Sequence, residues 1–280
     1  MKRGILFFSF FVIFLNQASA YIPSLEATFQ RISQKKYLVP PYQITSQLEF
    51  NNFSCVEELT VIDQQTQRAR LNCGNQHYFF VSQTQIKSIF SNEEKKTWVR
   101  NPNVWNELFL SKTVRQWEET FLRWGVIALL TEGDDEISVK SSGLVRLRTP
   151  EKLVTKRVDP DARIFYEITS GHDSGNSLYV GETTSLLRHL KRKREGKENS
   201  LVEEIVVRKY FLNVAEIYPK EIYVYQDGNL FVKILVQAYK QMNPEKLDFS
   251  DAFTSSASEL ESLSSEDPPP TLVQFVKDYR

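Results

Sequence analysis

The chain has 280 residues, 41% of them hydrophobic and 25% charged, with 35 basic and 35 acidic side chains. That is enough apolar content for the core of one large domain or two small ones. A formal charge of zero excludes a global attraction to nucleic acid or anionic lipid, so any such attraction has to be local.

The first twenty residues read as an export signal. Lys2 and Arg3 form a short positive region, "ILFFSFFVIFL" (Ile5–Leu15) is an apolar run too short to span a bilayer, and "QASA" (Gln17–Ala20) supplies small residues before a cleavage point at Tyr21. A buried N-terminal strand or a retained anchor is the competing reading. Cleavage leaves 260 residues with a charge of about −2, in a periplasmic or secreted, soluble protein.

"PSLEATFQRISQKK" (Pro23–Lys36) places Leu25, Phe29 and Ile32 at helical spacing behind a Ser24 cap. After Pro40 and Pro41 the apolar period changes to two: "YQITSQLEF", "FSCVEELTVID", "TQRARLNC" and "QHYFFVSQ" read as strands. If the second and third pair as a hairpin centred on Gln64, Cys55 lies opposite Cys73, Leu59 opposite Ala69 and Glu58 opposite Arg70. An oxidising compartment would join Cys55 and Cys73, the only cysteines, as a cross-strand disulfide; two buried thiols are the alternative.

A second helical stretch is expected over roughly Val104 to Leu130, with Val114, Trp117, Phe121 and Trp124 on one stripe. The acidic "EGDDE" (Glu132–Glu136) reads as a loop, after which "GLVRLRT", "ARIFYEIT", "NSLYVG", "LLRHLKRKRE", "SLVEEIVVRKYFL", "EIYVY" and "LFVKILVQAYKQ" read as strands. The last two are joined by the Asp-Gly turn of "QDGN" (Gln226–Asn229). About ten strands and two helices without β-α alternation give an α+β fold: a domain over 21–250 built on one large antiparallel sheet with helices on a single face. Residues 251–270 read as a flexible linker, within which "TSSASELESLSSEDPPP" is polar and proline-terminated. Residues 271–280, "TLVQFVKDYR", regain apolar character, as a tail docked on its own domain, a tethered peptide for a partner, or a plug in the domain's own groove.

Few residues suggest chemistry. Ile164-Phe165-Tyr166 followed by Tyr179-Val180-Gly181, Thr183 and Leu186 resembles the two-strand signature of the GIY-YIG nucleases. The first glycine is missing, however, and His189 stands where the helix arginine is expected, with Arg188 one residue early; on a helix that is about 100° of rotation. "GHDSG" (Gly171–Gly175) resembles the surroundings of a protease serine but lies in a hairpin loop where such residues make turns. The two cysteines and His77, His172 and His189 match no metal-ligand spacing, so no metal and no cofactor is expected. The basic run Arg188, Lys191, Arg192, Lys193 and Arg194 reads as a solvated strand face or as a docking patch for an acidic partner or anionic headgroups.

The order of elements over Tyr21–Asn243 resembles the outer-membrane lipoprotein carrier superfamily (LolA/LolB-type), most closely in "SLYVGETTSLLRHLKRKREG" and "YPKEIYVYQDGNLFVKILVQAYKQMN". The resemblance implies a curved half-barrel whose concave apolar face, lidded by helices, holds acyl chains without catalysis. The aromatic residues that would line such a groove are Phe29, Trp117, Phe121, Trp124, Tyr166, Tyr223 and Tyr225, although a fully filled core fits the pattern alone slightly better. Acyl chains or lipoproteins are the expected cargo, with a membrane transporter or envelope protein meeting the basic patch and no nucleic acid bound. A cell-envelope interaction module using the sheet and the tail is the second reading, and a nuclease the third.

Overall fold

A computed structural model describes residues 22–63, 66–83, 86–91, 95–99, 105–124, 138–145, 163–169, 176–181, 184–195, 200–212, 216–243 and 263–280. The proposed signal peptide, the Glu132–Glu136 and Gly171–Gly175 loops and the linker up to residue 262 lie outside them. Among the described residues no helix is long and apolar enough to cross a membrane.

The strands are β1 (Tyr42–Glu49), β2 (Ser54–Val61), β3 (Gln67–Cys73), β4 (Gln76–Gln83), β5 (Ile86–Phe90), β6 (Lys95–Val99), β7 (Ser138–Val145), β8 (Arg163–Thr169), β9 (Ser177–Gly181), β10 (Leu187–Glu195), β11 (Ser200–Leu212), β12 (Ile217–Gln226) and β13 (Asn229–Gln241). They form one curved antiparallel sheet in the order β6-β5-β4-β3-β2-β1-β13-β12-β11-β10-β9-β8-β7. Two meanders, each made of neighbours in sequence, are thus joined along a single long-range seam where β1 pairs with β13, Tyr42 facing Gln241 and Glu49 facing Lys233. The fold is the α+β antiparallel sheet expected, with the described helices on one face, called here the inner face.

Strand alternation sets that face. In β1 the side chains of Tyr42, Ile44, Ser46 and Leu48 are buried inward, while Gln43, Thr45, Gln47 and Glu49 are only half-buried on the other side. The expected β2–β3 register holds: Glu58 faces Arg70, Leu59 faces Ala69, and Cys55 and Cys73 are disulfide-bonded. The β12–β13 turn also forms as expected, with Asp227 and Gly228 both at positive φ (46° and 79°), the conformation a two-residue hairpin requires.

Helix α1 (Leu25–Ser33) starts at Ser24, whose hydroxyl accepts from the Ala27 amide at 3.2 Å. Within the single helix expected over 104–130 the described residues form two elements, a 3-10 turn at Trp105–Phe109 and helix α2 (Val114–Arg123), and residues 125–130 lie outside the described set. Between them Leu110 bridges to Leu38, and Thr113 and Gln116 form a reciprocal capping box that starts α2 afresh. Strands β5 and β6 were not anticipated. β6 is an edge strand carrying Lys95 and Lys96, the charges that protect a free edge but blur a strand's apolar signature. β7 begins at Ser138, ahead of the "GLVRLRT" segment expected, whose residues from 146 on lie outside the described set. The tail is a helix, α3 (Pro270–Tyr279).

Closing an 18-residue separation, the Cys55–Cys73 bond restricts the unfolded chain, worth about 3 kcal/mol. Denaturant titration of the Cys55→Ala/Cys73→Ala double variant should show a loss of roughly that size, and thiol alkylation of the denatured, unreduced protein should label neither cysteine.

Candidate functional site

Two covers share the inner face. The first is made of α1, the 3-10 turn and α2, joined to the sheet by a chain of rings. Phe29 stacks on Phe121 (5.4 Å between centroids) and Phe121 on Trp117 (5.3 Å), while Trp117 meets Tyr37 edge-on at 5.8 Å. Phe109 meets Tyr218 at 6.2 Å, and Tyr218 lies beside Tyr42 at 6.3 Å. Offset and edge-to-face contacts of this kind contribute about 0.5–1.5 kcal/mol each beyond area burial. Cations close the margins: Lys112 sits 4.7 Å over the Trp117 ring and Arg192 4.1 Å over Trp124.

The polar tips of these rings are not matched. The Tyr42 and Tyr218 hydroxyls and the Trp117 and Trp124 Nε1 groups are buried with no hydrogen-bond partner among the described residues. Burial pushes both tyrosine hydroxyls far above their ordinary range, so they stay protonated. An unpaired buried donor costs about 1–3 kcal/mol. The packed layer beneath this cover therefore combines aromatic rings with unpaired donors.

Phe29, Trp117, Phe121 and Trp124 all lie in this assembly, and Tyr166 falls on the same face by alternation with Ile168. Tyr223 and Tyr225 do not. Their neighbours Ile222 and Val224 point inward, so these two tyrosines stack on each other at 6.4 Å in a separate cluster with Phe165 and Val206 on the outer face. They do not belong to the aromatic layer beneath the first cover.

The basic run is also divided, because a strand sends alternate residues to opposite faces. Arg192 points inward, buried and ion-paired with Glu203. Arg188 donates to the Arg208 carbonyl at 3.0 Å and lies 5.0 Å over the Tyr210 ring. Lys193 is exposed and Lys191 half-buried on the outer side; the side chain of Arg194 is outside the described set. No single patch results. Leu187–Glu195 is a strand, and the helix that a GIY-YIG arginine requires is not there.

The second cover is α3. Leu272, Phe275, Val276 and Tyr279, at positions i, i+3, i+4 and i+7, are completely buried on the inner face. Phe275 meets Phe50 at 5.7 Å and Tyr279 meets Phe231 at 5.7 Å. At the helix end the Arg280 guanidinium grips the Glu57 carboxylate with two hydrogen bonds, Nε to Oε1 at 2.6 Å and Nη2 to Oε2 at 2.7 Å, both residues about 1% exposed or less. Lys87, also fully buried, donates from Nζ to the Lys277 carbonyl at 3.2 Å. Gln226 donates to the Tyr279 hydroxyl at 3.0 Å. The sequence reading missed Glu57, Lys87, Lys112 and Arg280. A signal existed for two of them: Glu57 occupies an inward position between Cys55 and Leu59, and Lys87 faces Ser82 two residues before the inward Ile89.

Two hollows flank the covers. One, of about 440 Å³, is lined by Phe50, Phe53, Asp227, Phe231 and Gln274 among others, beside the start of α3. The other, of about 520 Å³, lies along α2 and is lined by Glu107, Lys112, Gln116, Glu119, Thr120 and Arg123. Arg123 pairs with Glu107 at 2.9 Å, and Lys112 donates to the Glu107 carbonyl.

Comparison with known proteins adds little detail. No family model and no curated protein matches the chain. Among solved structures it is similar to a LolA superfamily protein from Nitrosomonas europaea (8% identity, 83% of this chain and 98% of that one covered, TM-score 0.43). It is also similar to a domain assigned to outer membrane lipoprotein sorting from Vibrio parahaemolyticus (7% identity, 76% and 88% covered, TM-score 0.39). A DUF1329 family protein from Desulfovibrio piger matches at 11% identity over 84% of this chain and 95% of that one, with a TM-score of 0.38.

Burial lowers the Lys112 ammonium from its ordinary 10.5 to about 7, with Glu107 opposing the drop and Arg123 adding to it. The unfolded chain keeps this proton across a range where the folded chain has lost it, so stability is lowest below pH 7 and rises with pH above it. Buried tyrosines act in the opposite sense only near pH 10 and above. Lys112→Met should therefore stabilise the protein, more at pH 6 than at pH 9, as measured by urea denaturation; an equal effect at both pH values would contradict the burial account.

Proposed function

We propose that the protein is a non-catalytic carrier that holds the apolar chain of a lipid or lipoprotein on its inner face, beneath the α1/α2 cover. The observation that carries this reading is the pairing of aromatic walls with unpartnered donors: Tyr42, Tyr218, Trp117 and Trp124 bury hydroxyl and indole groups without a hydrogen-bond partner among the described residues. Indole N–H only donates, and a buried tyrosine kept neutral donates as well. A ligand suited to such a wall is apolar along its length and presents acceptors only, which describes an acyl chain with its ester or amide carbonyls.

The energetics suit uptake and release. Each buried CH2 gains roughly 0.8 kcal/mol, so a long chain is drawn from water without any covalent step. The cover is made of short elements: α1 has 9 residues and α2 has 10, both below the roughly 12–15 that a free helix needs for stability, so they hold their place by packing alone. Parting the two from the sheet costs ring contacts but relieves unpaired donors. An exported, soluble carrier would use this balance to pass its cargo on. The closing of the inner face by α3 in cis argues against the second reading, in which the tail reaches a separate envelope partner.

Native mass spectrometry of the purified protein should show bound lipid, and a fluorescent acylated peptide should bind. Tyr218→Phe should raise the stability of the unliganded protein by about 1 kcal/mol, because an unpaired hydroxyl is removed. The same change should weaken the acylated peptide while leaving a plain hydrocarbon probe unaffected. Failure of every acylated probe to bind would refute the reading.

A further inference from the structure

The α3 half of the inner face has the attributes of a site built for a ligand of a different class. Its floor is apolar and aromatic, contributed by Phe50 and Phe231. Into that floor are set two fully buried charges of opposite sign, Glu57 on β2 and Lys87 on β5. Buried charges in a sheet interior are costly unless paired. Each is answered by a different part of one helix end: Glu57 takes the Arg280 guanidinium in a two-point grip, and Lys87 takes the Lys277 backbone carbonyl. The Lys277 carbonyl lies toward the negative end of the α3 dipole, where a cation is favoured. Arg280 also folds back over the Phe275 ring, 4.7 Å away, which orients the fork for Glu57.

Three features make α3 an occupant of this site and not a fixed layer of the core. It joins no strand ladder, and its ties to the sheet are side-chain contacts together with the Lys87 bond to its backbone. At 10 residues it is too short to be helical once undocked, so docking and folding of the segment are one event. The segment before it, rich in serine, glutamate and proline, is pinned to the sheet near its end, where the Ser264 N–H donates to the His77 carbonyl at 2.9 Å and Lys96 pairs with Asp267 at 3.6 Å, so that α3 stays close to the site when it opens.

We infer that the inner face between β1–β5 and β12–β13 is a binding site for an amphipathic helix that carries an arginine in register with Glu57, which residues 270–280 fill reversibly in cis. Glu57 and Lys87 are its specificity residues, the first for the guanidinium and the second for the backbone carbonyl of the turn before it. Any competing segment has to bring both an i, i+3, i+4, i+7 apolar face and a cation in register with Glu57. This inference stands apart from lipid binding under α1 and α2 and survives the failure of that reading.

Two measurements on the full chain test it. In the unmodified protein, amide hydrogen exchange over 272–279 should proceed through local opening, roughly 100-fold faster or more than in β1, β2 and β13. Equal rates in the tail and those strands would overturn the inference by making α3 an integral part of the core. A fluorescent peptide of residues 263–280 should bind the Arg280→Ala protein, whose own tail is weakened, and the peptide carrying Arg280→Gln should bind roughly 100-fold more weakly. Binding that ignores the arginine, or no binding to a folded Arg280→Ala protein, would also overturn it. The exchange measurement needs no variant, so it decides the matter even if Arg280→Ala fails to fold.

Discussion

One buried ion pair holds the inner face closed. Glu57 lies inside a strand, at an inward position between Cys55 and Leu59 that the sheet's alternation reserves for apolar side chains. Desolvating a carboxylate costs several kcal/mol, recovered only when geometry and hydrogen bonding are good. Arg280 supplies both, from 223 residues further along the chain, in a planar fork that matches the carboxylate. The apolar face of α3 then falls onto Phe50 and Phe231, and the seam between β1 and β13 is covered. Without the pair, the same surface would be an apolar trough with a charge in the middle.

The sheet beneath has a simple logic. Each meander pairs neighbours in sequence, which is entropically cheap, and only the β1–β13 seam closes the long loop. Both covers cross this part of the molecule. Tyr42 on β1 and Tyr218 on β12 sit beside each other, with Arg280 close enough to act on both hydroxyls. The two halves of the inner face are therefore neighbours, one carrying rings with unpaired donors and the other the Glu57–Arg280 pair.

What was legible in the sequence follows from how local each signal is. The β2–β3 register was readable because three cross-strand pairs, including Cys55 with Cys73, agree on one alignment, and the Asp227–Gly228 turn because it demands positive φ. Ser24 marked its helix for a similar reason. Tyr223 and Tyr225 were misassigned because β12 is apolar on both faces, so alternation alone does not say which parity points inward. The basic run looked like a patch in one dimension and is split by the two-residue period in three. The docking of α3 is non-local: its apolar spacing was visible, but its partner Glu57 is a lone glutamate among many until the fold brings the two together.

The central claim is that Arg280 and Glu57 act as one unit in closing the inner face. A double-mutant cycle with Arg280→Met and Glu57→Met tests it most directly, read as the free energy of opening from amide exchange over 272–279. Each single change should cost roughly 3–5 kcal/mol, because it strands a buried charge, and the double variant should recover most of that loss. Costs that simply add, with no coupling between the two positions, would contradict the account.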